Sequence, residues 1–461
     1  MPKAEVAIVG GGISGLSAAW YLTQAGIQAT LFERCGRLGG VITTEVVDGC
    51  LVEGGPDSFL SAKPWAMELI RELGLASEVI GSNDHLRVTY LWKGGRLVPL
   101  PDGLMLMVPT RVLPLITTQV VGWRTKLRMG LEWFRSAASP APRDRTVAEF
   151  VREHYGQEAV DYLAEPLLAG VYGGSPEELS VNSVLGRFVE LEARYGSLTR
   201  GVLAERRRMA AHVSSQPLFQ TLKGGLGRLV EALAEAISPQ TQVHYARVDA
   251  LERLQGGWRL RVDGAWLAFR DVILACPAYE AARLLGDVDR ELAAALHEIP
   301  YSSSMTVALI YDSSRFSHPL NGFGFLVPKK ERRRLVACTW VGTKFAHRVR
   351  PERILLRCFL GGREDPAILE ESDEAVLAIV REELAAIMGL RQEPLFHRIR
   401  RWPASMAQYT LGHPERLRRL DERLKALDGL YLAGNAYQGI GIPDCVRSGK
   451  EAAGRVLARY L

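Results

Sequence analysis

The residues best suited to chemistry in this sequence are three glycines near its start. Gly10, Gly12 and Gly15 have the spacing G-x-G-x-x-G and follow the apolar run Val6–Val9. The first glycine permits a tight turn, the second lets backbone N–H groups approach a pyrophosphate, and the third lets a helix pack closely on a strand. The pattern predicts a turn that binds the phosphates of a dinucleotide.

Such a turn needs a strand before it and a helix after it. The sequence predicts a strand over residues 5–9, a helix over 16–24 and a second strand over 28–32. The N-terminus of the helix would face the phosphates with its unpaired N–H groups and its positive dipole end. Glu33 follows the second strand, where an acid that binds ribose hydroxyls belongs. The alternative, a glycine-rich turn in an unrelated α/β protein, leaves this agreement without a reason.

Composition narrows the class of protein. The 461 residues suffice for two or three domains, and 47% hydrophobic with 24% charged residues is typical of a globular protein. The net charge of +5 argues against a strongly basic nucleic-acid binder. It would suit an anionic substrate, but an arginine-rich surface explains it equally well. We therefore expect no nucleic-acid partner.

The cysteines favour a reducing compartment. There are six of them, and no two form a C-x-x-C pair or a metal-ligand spacing. They are interpreted as reduced thiols in a cytoplasmic protein, and no metal site is predicted. A first strand that begins at residue 5 also leaves no room for a signal peptide.

Residues 104–135 combine apolar clusters with positive charge. Arg111 and two prolines interrupt them, so no apolar run reaches the roughly 18 residues of a spanning helix. Five basic residues and one Glu132 give a net charge of +4. The basic residues are Arg111, Arg124, Lys126, Arg128 and Arg135. Two interpretations stay open: an amphipathic surface on an anionic leaflet at the inner face of the cell membrane, or a helix pair with a solvated basic side.

Three further stretches indicate which dinucleotide is bound. They are Gly36-Arg37-Leu38-Gly39-Gly40, Glu53-Gly54-Gly55-Pro56-Asp57-Ser58-Phe59, and Gly434-Asn435 with Gly439-Ile440-Gly441-Ile442-Pro443-Asp444-Cys445. Together with the first turn they resemble the superfamily of FAD-containing amine oxidases and protoporphyrinogen oxidases. The resemblance implies bound FAD, with the arginine-glycine-glycine stretch along the pyrophosphate and flavin. The C-terminal junction would meet the ribityl chain and the pyrimidine end of the ring.

The glycine pattern and the resemblance together assign a set of FAD-binding residues. These are Gly10, Gly11, Gly12, Ile13, Ser14, Gly15, Glu33, Arg34, Arg37, Gly40, Val41, Gly55, Pro56, Asp57, Ser58, Val248, Trp402, Gly434, Asn435, Ile440, Gly441 and Ile442. A helix N-terminus at 440–446 aimed at the flavin would stabilise the anion of the reduced ring.

Within that superfamily the sequence resembles the oxygen-dependent porphyrinogen oxidases of bacterial type. Further motifs that carry this resemblance lie at 165–174, 221–226, 322–328, 401–403 and 408–413. Two departures are Ala407, where the family usually has proline, and Met105, in a region where eukaryotic members carry a substrate-steering arginine. The second puts the anchor of a substrate carboxylate in doubt.

The resemblance implies that FAD oxidises a porphyrinogen to a porphyrin in heme biosynthesis, with O₂ as acceptor and H₂O₂ as product. The single dinucleotide fingerprint argues against a need for NAD(P)H. The substrate would be coproporphyrinogen III, protoporphyrinogen IX or both, and residues 442–445 with Met105 favour the first. Two alternatives are another flavin enzyme, such as an amine oxidase or desaturase, and a non-catalytic porphyrin-binding flavoprotein.

The resemblance also nominates substrate contacts. Asp57, Phe323, Leu326 and Phe359 would meet the macrocycle, and apolar side chains suit a tetrapyrrole. Phe359 fits core packing equally well. Arg194, Arg200 and Arg401 are candidate partners for its carboxylates, although each could be a surface arginine. Other heme-pathway enzymes are candidate partners, and the oligomeric state is left open.

The elements therefore predict an interleaved fold. It is α/β plus α+β, with a Rossmann-like FAD-binding domain over 1–60, 220–280 and 425–461. A mixed-sheet substrate domain would cover 61–100 and 281–424, and a helical insert would cover 101–219.

Overall fold

The structure is a computed structural model that describes residues 5–137, 144–209, 216–316 and 318–460. The strands of these residues are β1 (Val6–Val9), β2 (Ala29–Phe32), β3 (Thr44–Val47), β4 (Cys50–Glu53), β5 (Phe59–Leu60), β6 (Val79–Gly81), β7 (Thr89–Lys93), β8 (Arg96–Pro99), β9 (Leu104–Met105), β10 (Val108–Pro109), β11 (Phe219–Leu222), β12 (Thr241–His244), β13 (Val248–Leu254), β14 (Gly257–Val262), β15 (Ala265–Phe269), β16 (Asp271–Leu274), β17 (Tyr301–Asp312), β18 (Gly324–Leu326), β19 (Ala337–Trp340), β20 (Arg353–Gly361), β21 (Phe396–Ala407) and β22 (Leu430–Leu432).

The α-helices of the same residues are α1 (Ile13–Gln24), α2 (Pro64–Glu72), α3 (Val112–Thr117), α4 (Trp123–Leu131), α5 (Val147–Tyr155), α6 (Gln157–Ala159), α7 (Glu165–Tyr172), α8 (Val181–Val184), α9 (Gly186–Tyr195), α10 (Leu198–Met209), α11 (Gly227–Ile237), α12 (Ala278–Leu285), α13 (Arg290–His297), α14 (Val341–Lys344), α15 (Asp373–Met388), α16 (His413–Leu424) and α17 (Ile442–Leu457).

The first sheet is parallel and has the order β12-β2-β1-β16-β22. All residues of β1, β2 and β16 are buried, as expected of strands covered on both faces. One face packs on α1, α11 and α17. The other packs on the antiparallel sheet β13-β14-β15 and on α12 and α13. This arrangement confirms the predicted Rossmann-like unit.

The second sheet has seven strands in the order β21-β17-β20-β19-β18-β7-β8. The pair β18–β7 is parallel and the other pairs are antiparallel, so the sheet is mixed, as predicted. Side chains of one face, such as Val307 and Cys358, pack under α15. On the opposite face Ala308 and Leu355 pack against the hairpin β3–β4. That second face therefore meets the segment that leads into residues 53–59.

The helices α3 to α10 form a third core that also contacts Leu91 of β7 and Leu326 of β18. Along α3, α4 and the turn after α4, a row of apolar side chains stays exposed. We call it the apolar ridge: Val112, Leu113, Ile116, Trp123, Leu127, Leu131 and Phe134. In the described part of the chain, no helix has both the length and the apolar character needed to cross a bilayer.

The strands of each large sheet fall in separate parts of the sequence. The five-stranded sheet takes its strands from within 1–60, 220–280 and 425–461, whereas the seven-stranded sheet takes them from within 61–100 and 281–424. Helices α3 to α10 lie within 101–219. The division into three domains itself stays a prediction.

Candidate active site

The glycine turn after β1 has the geometry that the sequence predicts. Gly10 has φ +112°, and a Cβ on Gly15 would collide with the carbonyl oxygen of Gly10. A Cβ on Gly12 would meet no atom within 4 Å. Gly10 and Gly15 are therefore required by packing inside the protein, while Gly12 borders open space.

Glu33 lies beside this turn. Its carboxylate accepts hydrogen bonds from the backbone N–H groups of Gly11 (2.7 Å) and Cys35 (2.8 Å). A carboxylate has about four lone-pair positions, so it keeps capacity for hydroxyl donors such as those of a ribose. The prediction that Glu33 binds a ribose thus agrees with its position.

The structure brings the second glycine stretch onto the first. The N–H of Gly39 donates to the carbonyl of Gly11 (2.8 Å), and Gly40 packs against the backbone of Gly12. The Arg37 guanidinium donates to the carbonyls of Gly40 and Ile42 and lies 6.0 Å from the Trp402 ring. Two motifs about 25 residues apart therefore form one surface.

The third stretch adds to the same surface. A Cβ on Gly55 would collide with the carbonyl of Val41, which explains the glycine at that position. The carbonyl of Gly54 accepts hydrogen bonds from Nε1 of Trp402 (2.8 Å) and from Oγ1 of Thr306 (2.7 Å). The loop 53–58 is thus fastened to β17 and β21 of the second sheet.

Three buried cations, Lys344, Arg348 and Arg357, hold that loop from beneath. Nζ of Lys344 lies 3.0 Å from the Asp57 carboxylate. Arg348 donates to the Asp57 carbonyl (2.8 Å) and to the Glu53 carboxylate (3.0 Å). Arg357 donates to the carbonyl of Gly55. We call these three residues with Glu53 and Asp57 the buried charge cluster.

The cluster decides the ionisation of its acids. Burial alone would raise the pKa of Asp57, but Lys344, Arg357 and Arg348 outweigh it and hold that pKa well below its ordinary value. Burial also raises the pKa of Glu53, and Arg348 offsets only part of that rise. Burial, together with repulsion from Arg348 and Arg357, lowers the pKa of Lys344 despite its contact with Asp57. Asp57 is therefore the firmly ionised acid of the group.

The C-terminal junction lies next to the first turn. A Cβ on Gly449 of α17 would collide with the carbonyl of Ser14, so the N-terminal halves of α1 and α17 touch. The hydroxyl of Tyr409 donates to the carbonyl of Asn435 and accepts from the N–H of Gly439, both at 2.7 Å. Within the described residues, neither α1 nor α17 has a side-chain cap at its N-terminus. Both helices thus present backbone N–H groups to the same region.

The predicted substrate residues do not all come together. Leu326 and Phe359 lie on one register line of the second sheet, separated by Ala337, on the face that carries Thr306 and Arg357. Arg357 lies 4.8 Å over the Phe359 ring. Leu326 also approaches Gly170 of α7. The face between sheet and helices is therefore apolar near these two side chains.

Arg401 lies on the opposite face of the sheet. It pairs with Met305 in register, and its guanidinium donates to the carbonyls of Leu369 and Glu371 and to Asp373. The structure therefore does not bring Arg401 to Phe359 and Trp402. Phe323 is buried immediately before β18.

The other two candidate arginines are also occupied elsewhere. Arg200 donates to the carbonyls of Arg135 and Tyr195, inside the helical part of the protein. Arg194 is exposed and lies over the ring of Tyr195. Neither contacts a residue assigned above to substrate.

The remaining predicted cofactor residues have ordinary surroundings. Arg34 is exposed and pairs with Glu280 at 2.9 Å, and Val248 is buried at the start of β13 with its carbonyl bound to Arg283. Ser58 donates to Asp57 (2.6 Å). Ile13 and Ser14 form the first turn of α1, Ile440 and Gly441 lead into Ile442 of α17, and Pro56 lies between Gly55 and Asp57.

These residues fit a bound FAD. Gly12 borders open space beside the uncapped start of α1, which suits an anionic pyrophosphate. Glu33 retains acceptor capacity for the ribose. Val41, Gly55 and Trp402 are joined through the loop 53–58, where the flavin is expected.

Sequence reasoning missed most of the buried charge cluster. Arg357 leaves a signal, because it is a charge in the middle of an otherwise apolar run, residues 354–360 of β20. Lys344 and Arg348 leave none, since Lys344 ends the four-residue helix α14 and Arg348 lies in the short turn after it, and neither element is long enough to show a pattern. Tyr409 lies within the motif at 408–413, which does not reveal that its hydroxyl bridges two sides of the 435–439 loop.

Comparison with known proteins agrees with this geometry. Residues 13–457 match the model of the flavin-containing amine oxidoreductase family. Coproporphyrinogen III oxidase of Bacillus subtilis is 33% identical over 468 residues, covering 99% of this chain and 98% of that protein. Chloroplastic protoporphyrinogen oxidase of Nicotiana tabacum is 28% identical, covering 100% and 87%.

Solved structures extend the likeness to three dimensions. A crystal structure from Exiguobacterium sp. 255-15 superposes with a TM-score of 0.89 at 31% identity and covers 100% of this chain and 99% of that one. A putrescine oxidase has a TM-score of 0.72 at 19% identity, covering 99% of each chain, which shows the shared fold alone.

Proposed function

The chain belongs to the flavin-containing amine oxidoreductase family, and from this premise we propose that it oxidises a porphyrinogen, with coproporphyrinogen III as the preferred substrate. The observation that carries the proposal is the end-to-end likeness to proteins named coproporphyrinogen III oxidase. The likeness to putrescine oxidase extends to the fold only, so an amine substrate has no comparable support. The product would be a porphyrin of heme biosynthesis.

The residues present suggest how the protein would contribute. FAD, when bound, supplies the two-electron oxidation of a carbon–hydrogen bond. The backbone at Gly10–Gly15 and Glu33 would hold its pyrophosphate and ribose. The buried charge cluster fixes the loop 53–58, and the Gly54 carbonyl of this loop accepts a hydrogen bond from Nε1 of Trp402 on β21. Leu326 and Phe359 would exclude water from one face of the macrocycle.

One experiment tests the redox step directly. Anaerobic addition of coproporphyrinogen III to the purified yellow protein should bleach the flavin absorbance. Admission of air should restore it, with formation of coproporphyrin and H₂O₂. A protein whose flavin stays oxidised under these conditions would be a binding protein and not an oxidase.

The electron acceptor is part of the same proposal. We propose O₂, because the sequence carries a single strand-turn-helix fingerprint for a dinucleotide. Turnover should then need no NAD(P)H. Turnover that starts only after NADPH is added would exclude O₂ as the direct acceptor.

Substrate preference can be measured separately. We expect a higher kcat/KM for the tetracarboxylate coproporphyrinogen III than for the dicarboxylate protoporphyrinogen IX. An equal or reversed ratio would contradict the preference but leave porphyrinogen oxidation standing.

We also propose that the apolar ridge rests on an anionic membrane surface. Leu113, Trp123 and Phe134 are 72%, 70% and 77% exposed, and burial of such side chains is the main source of interfacial binding. The basic side chains contribute less to membrane binding than the sequence suggests, because two of them donate to backbone carbonyls of the protein itself. Lys126 donates to the carbonyls of Ile116 and Thr118, and Arg128 donates to that of Arg152.

Vesicle binding tests the ridge. The protein should co-sediment with vesicles of anionic lipid at low salt, and Leu113→Ser with Leu127→Ser and Phe134→Ser should abolish this. A matched control replaces Val46, Leu395 and Leu411, which are exposed apolar residues elsewhere. Equal loss of vesicle binding in both triple variants would show that the apolar ridge is not the contact surface.

A further inference from the structure

A small cavity lies beneath the loop 53–58, inside the buried charge cluster. It offers about 10 Å³ to the centre of a water-sized sphere, close to the minimum of about 10–15 Å³ that one water needs. Its lining combines the apolar residues Ala308 and Leu355 with the charged residues Glu53, Asp57, Arg348 and Arg357. The cavity is thus lined by both apolar and charged side chains.

Two hydrogen-bond donors in this wall lack acceptors. Nε of Arg348 and Nε of Arg357 are buried, and neither has a partner among the residues that the structure describes. The two side chains are only 1% and 5% exposed. Protein interiors rarely leave such donors unsatisfied, and an ordered water is the usual remedy.

Two acids also line the cavity, Glu53 and Asp57. Oε1 of Glu53 accepts from Arg348 and from the N–H of Leu226, and Oε2 accepts from Thr44. The Asp57 carboxylate accepts from Lys344 and Ser58. Because a carboxylate offers about four lone-pair positions, each of the two acids can accept one more hydrogen bond.

These groups specify the occupant. It must accept from two guanidinium N–H groups and tolerate two neighbouring carboxylates. A halide accepts but cannot donate, so the carboxylates would repel it. We propose that the cavity holds one ordered water molecule, which accepts from Nε of Arg348 and Arg357 and donates to Glu53 and Asp57.

The water would join two parts of the molecule. Arg357 belongs to β20, Arg348 follows α14, and both acids belong to the segment 53–58. The water therefore completes the connection between the second sheet and the loop, independently of which substrate the enzyme oxidises.

A high-resolution crystal structure of the FAD-bound protein, grown in sodium bromide, tests the occupant. We expect an oxygen-sized peak within hydrogen-bond distance of both Nε atoms and no anomalous bromide signal there. A bromide peak would show that the occupant is an anion and not a water, which would overturn the proposal. An empty cavity would overturn it as well.

A pair of variants tests the hydrogen bonds. Ala308 lies in the cavity wall and is paired with Arg357 in register. Valine and threonine have nearly the same shape, and both should displace the water, but only threonine offers a hydroxyl to the two Nε groups. We expect Ala308→Val to melt about 2–4 °C below Ala308→Thr, with equal FAD content. Equal melting temperatures would contradict the role of the water.

Discussion

The glycine turn at residues 10–15 and the buried charge cluster hold neighbouring parts of the candidate site by opposite means. The turn uses backbone and the absence of side chains: Gly10 and Gly15 are glycine because nothing larger fits. The cluster uses long charged side chains that are almost fully buried. A site built from backbone can be recognised in the sequence by its glycines. A buried charge cluster makes the site rigid, but its stability depends on every one of its members.

The strongest test of this contrast removes one cation of the cluster. Arg348→Met removes the cationic partner of Glu53 and a donor to Thr221 in a buried site, and removal of one member of a buried pair costs about 3–5 kcal/mol. Urea unfolding should show that loss. Arg419→Met is the matched control, because its pair with Glu298 is exposed and worth at most about 1 kcal/mol. Similar losses of unfolding free energy in both variants would show that the buried charge cluster stabilises the fold no more than a surface ion pair does.

The glycine turn separates folding from cofactor binding. Gly15→Ala drives a methyl group into the carbonyl of Gly10 and should cost about 3 kcal/mol of folding free energy. Gly12→Ala meets no protein atom, so the protein should fold normally but lose FAD. Thermal unfolding and the flavin-to-protein absorbance ratio measure the two effects. Full FAD content in Gly12→Ala would show that the pyrophosphate lies elsewhere.

The glycine turn could be predicted from the sequence and most of the buried charge cluster could not, for a physical reason. The glycines act within a few residues of one another, so their spacing is visible, and with the strands, helix and acid around them it predicts the Rossmann-like unit. Arg348 and Glu53 are 295 residues apart, and only the fold brings them into contact. For Arg401 the motif is visible in the sequence, but its position is not. Because side chains alternate along a strand, Arg401 lies on the face of the sheet opposite to Phe359.

The loss of folding stability at acid pH should reflect the protonation of Asp57, the ionised acid of the buried charge cluster. The folded pKa of Asp57 lies well below its ordinary value of about 3.9. Its ionisation therefore stabilises the fold above pH 4, and this stabilisation, about 2 kcal/mol, is lost as pH falls further. Asp57→Asn should flatten the dependence of melting temperature on pH below 4. An unchanged slope in the variant would assign acid unfolding to other groups.

The smallest expected effect concerns the acid beside the glycine turn. Glu33→Gln keeps one oxygen acceptor but replaces the other by an amide donor, which the N–H of Gly11 or of Cys35 would oppose. We expect about tenfold weaker FAD binding, equivalent to about 1.4 kcal/mol. Titration of the apoprotein with FAD measures it. Unchanged affinity would contradict the ribose assignment.

The strand order of the first sheet has a consequence for synthesis of the protein. β1 is made first, but its neighbour β16 ends at residue 274, and β22 ends at residue 432. At about 5–20 residues per second, the ribosome needs roughly 20–85 s to pass from residue 9 to residue 432. Throughout that time the nascent glycine turn lacks β22 and α17, and until residue 274 is made it also lacks β16. Capture of FAD is therefore expected after release, and a chain terminated before residue 430 should lose the cofactor site encoded at its beginning.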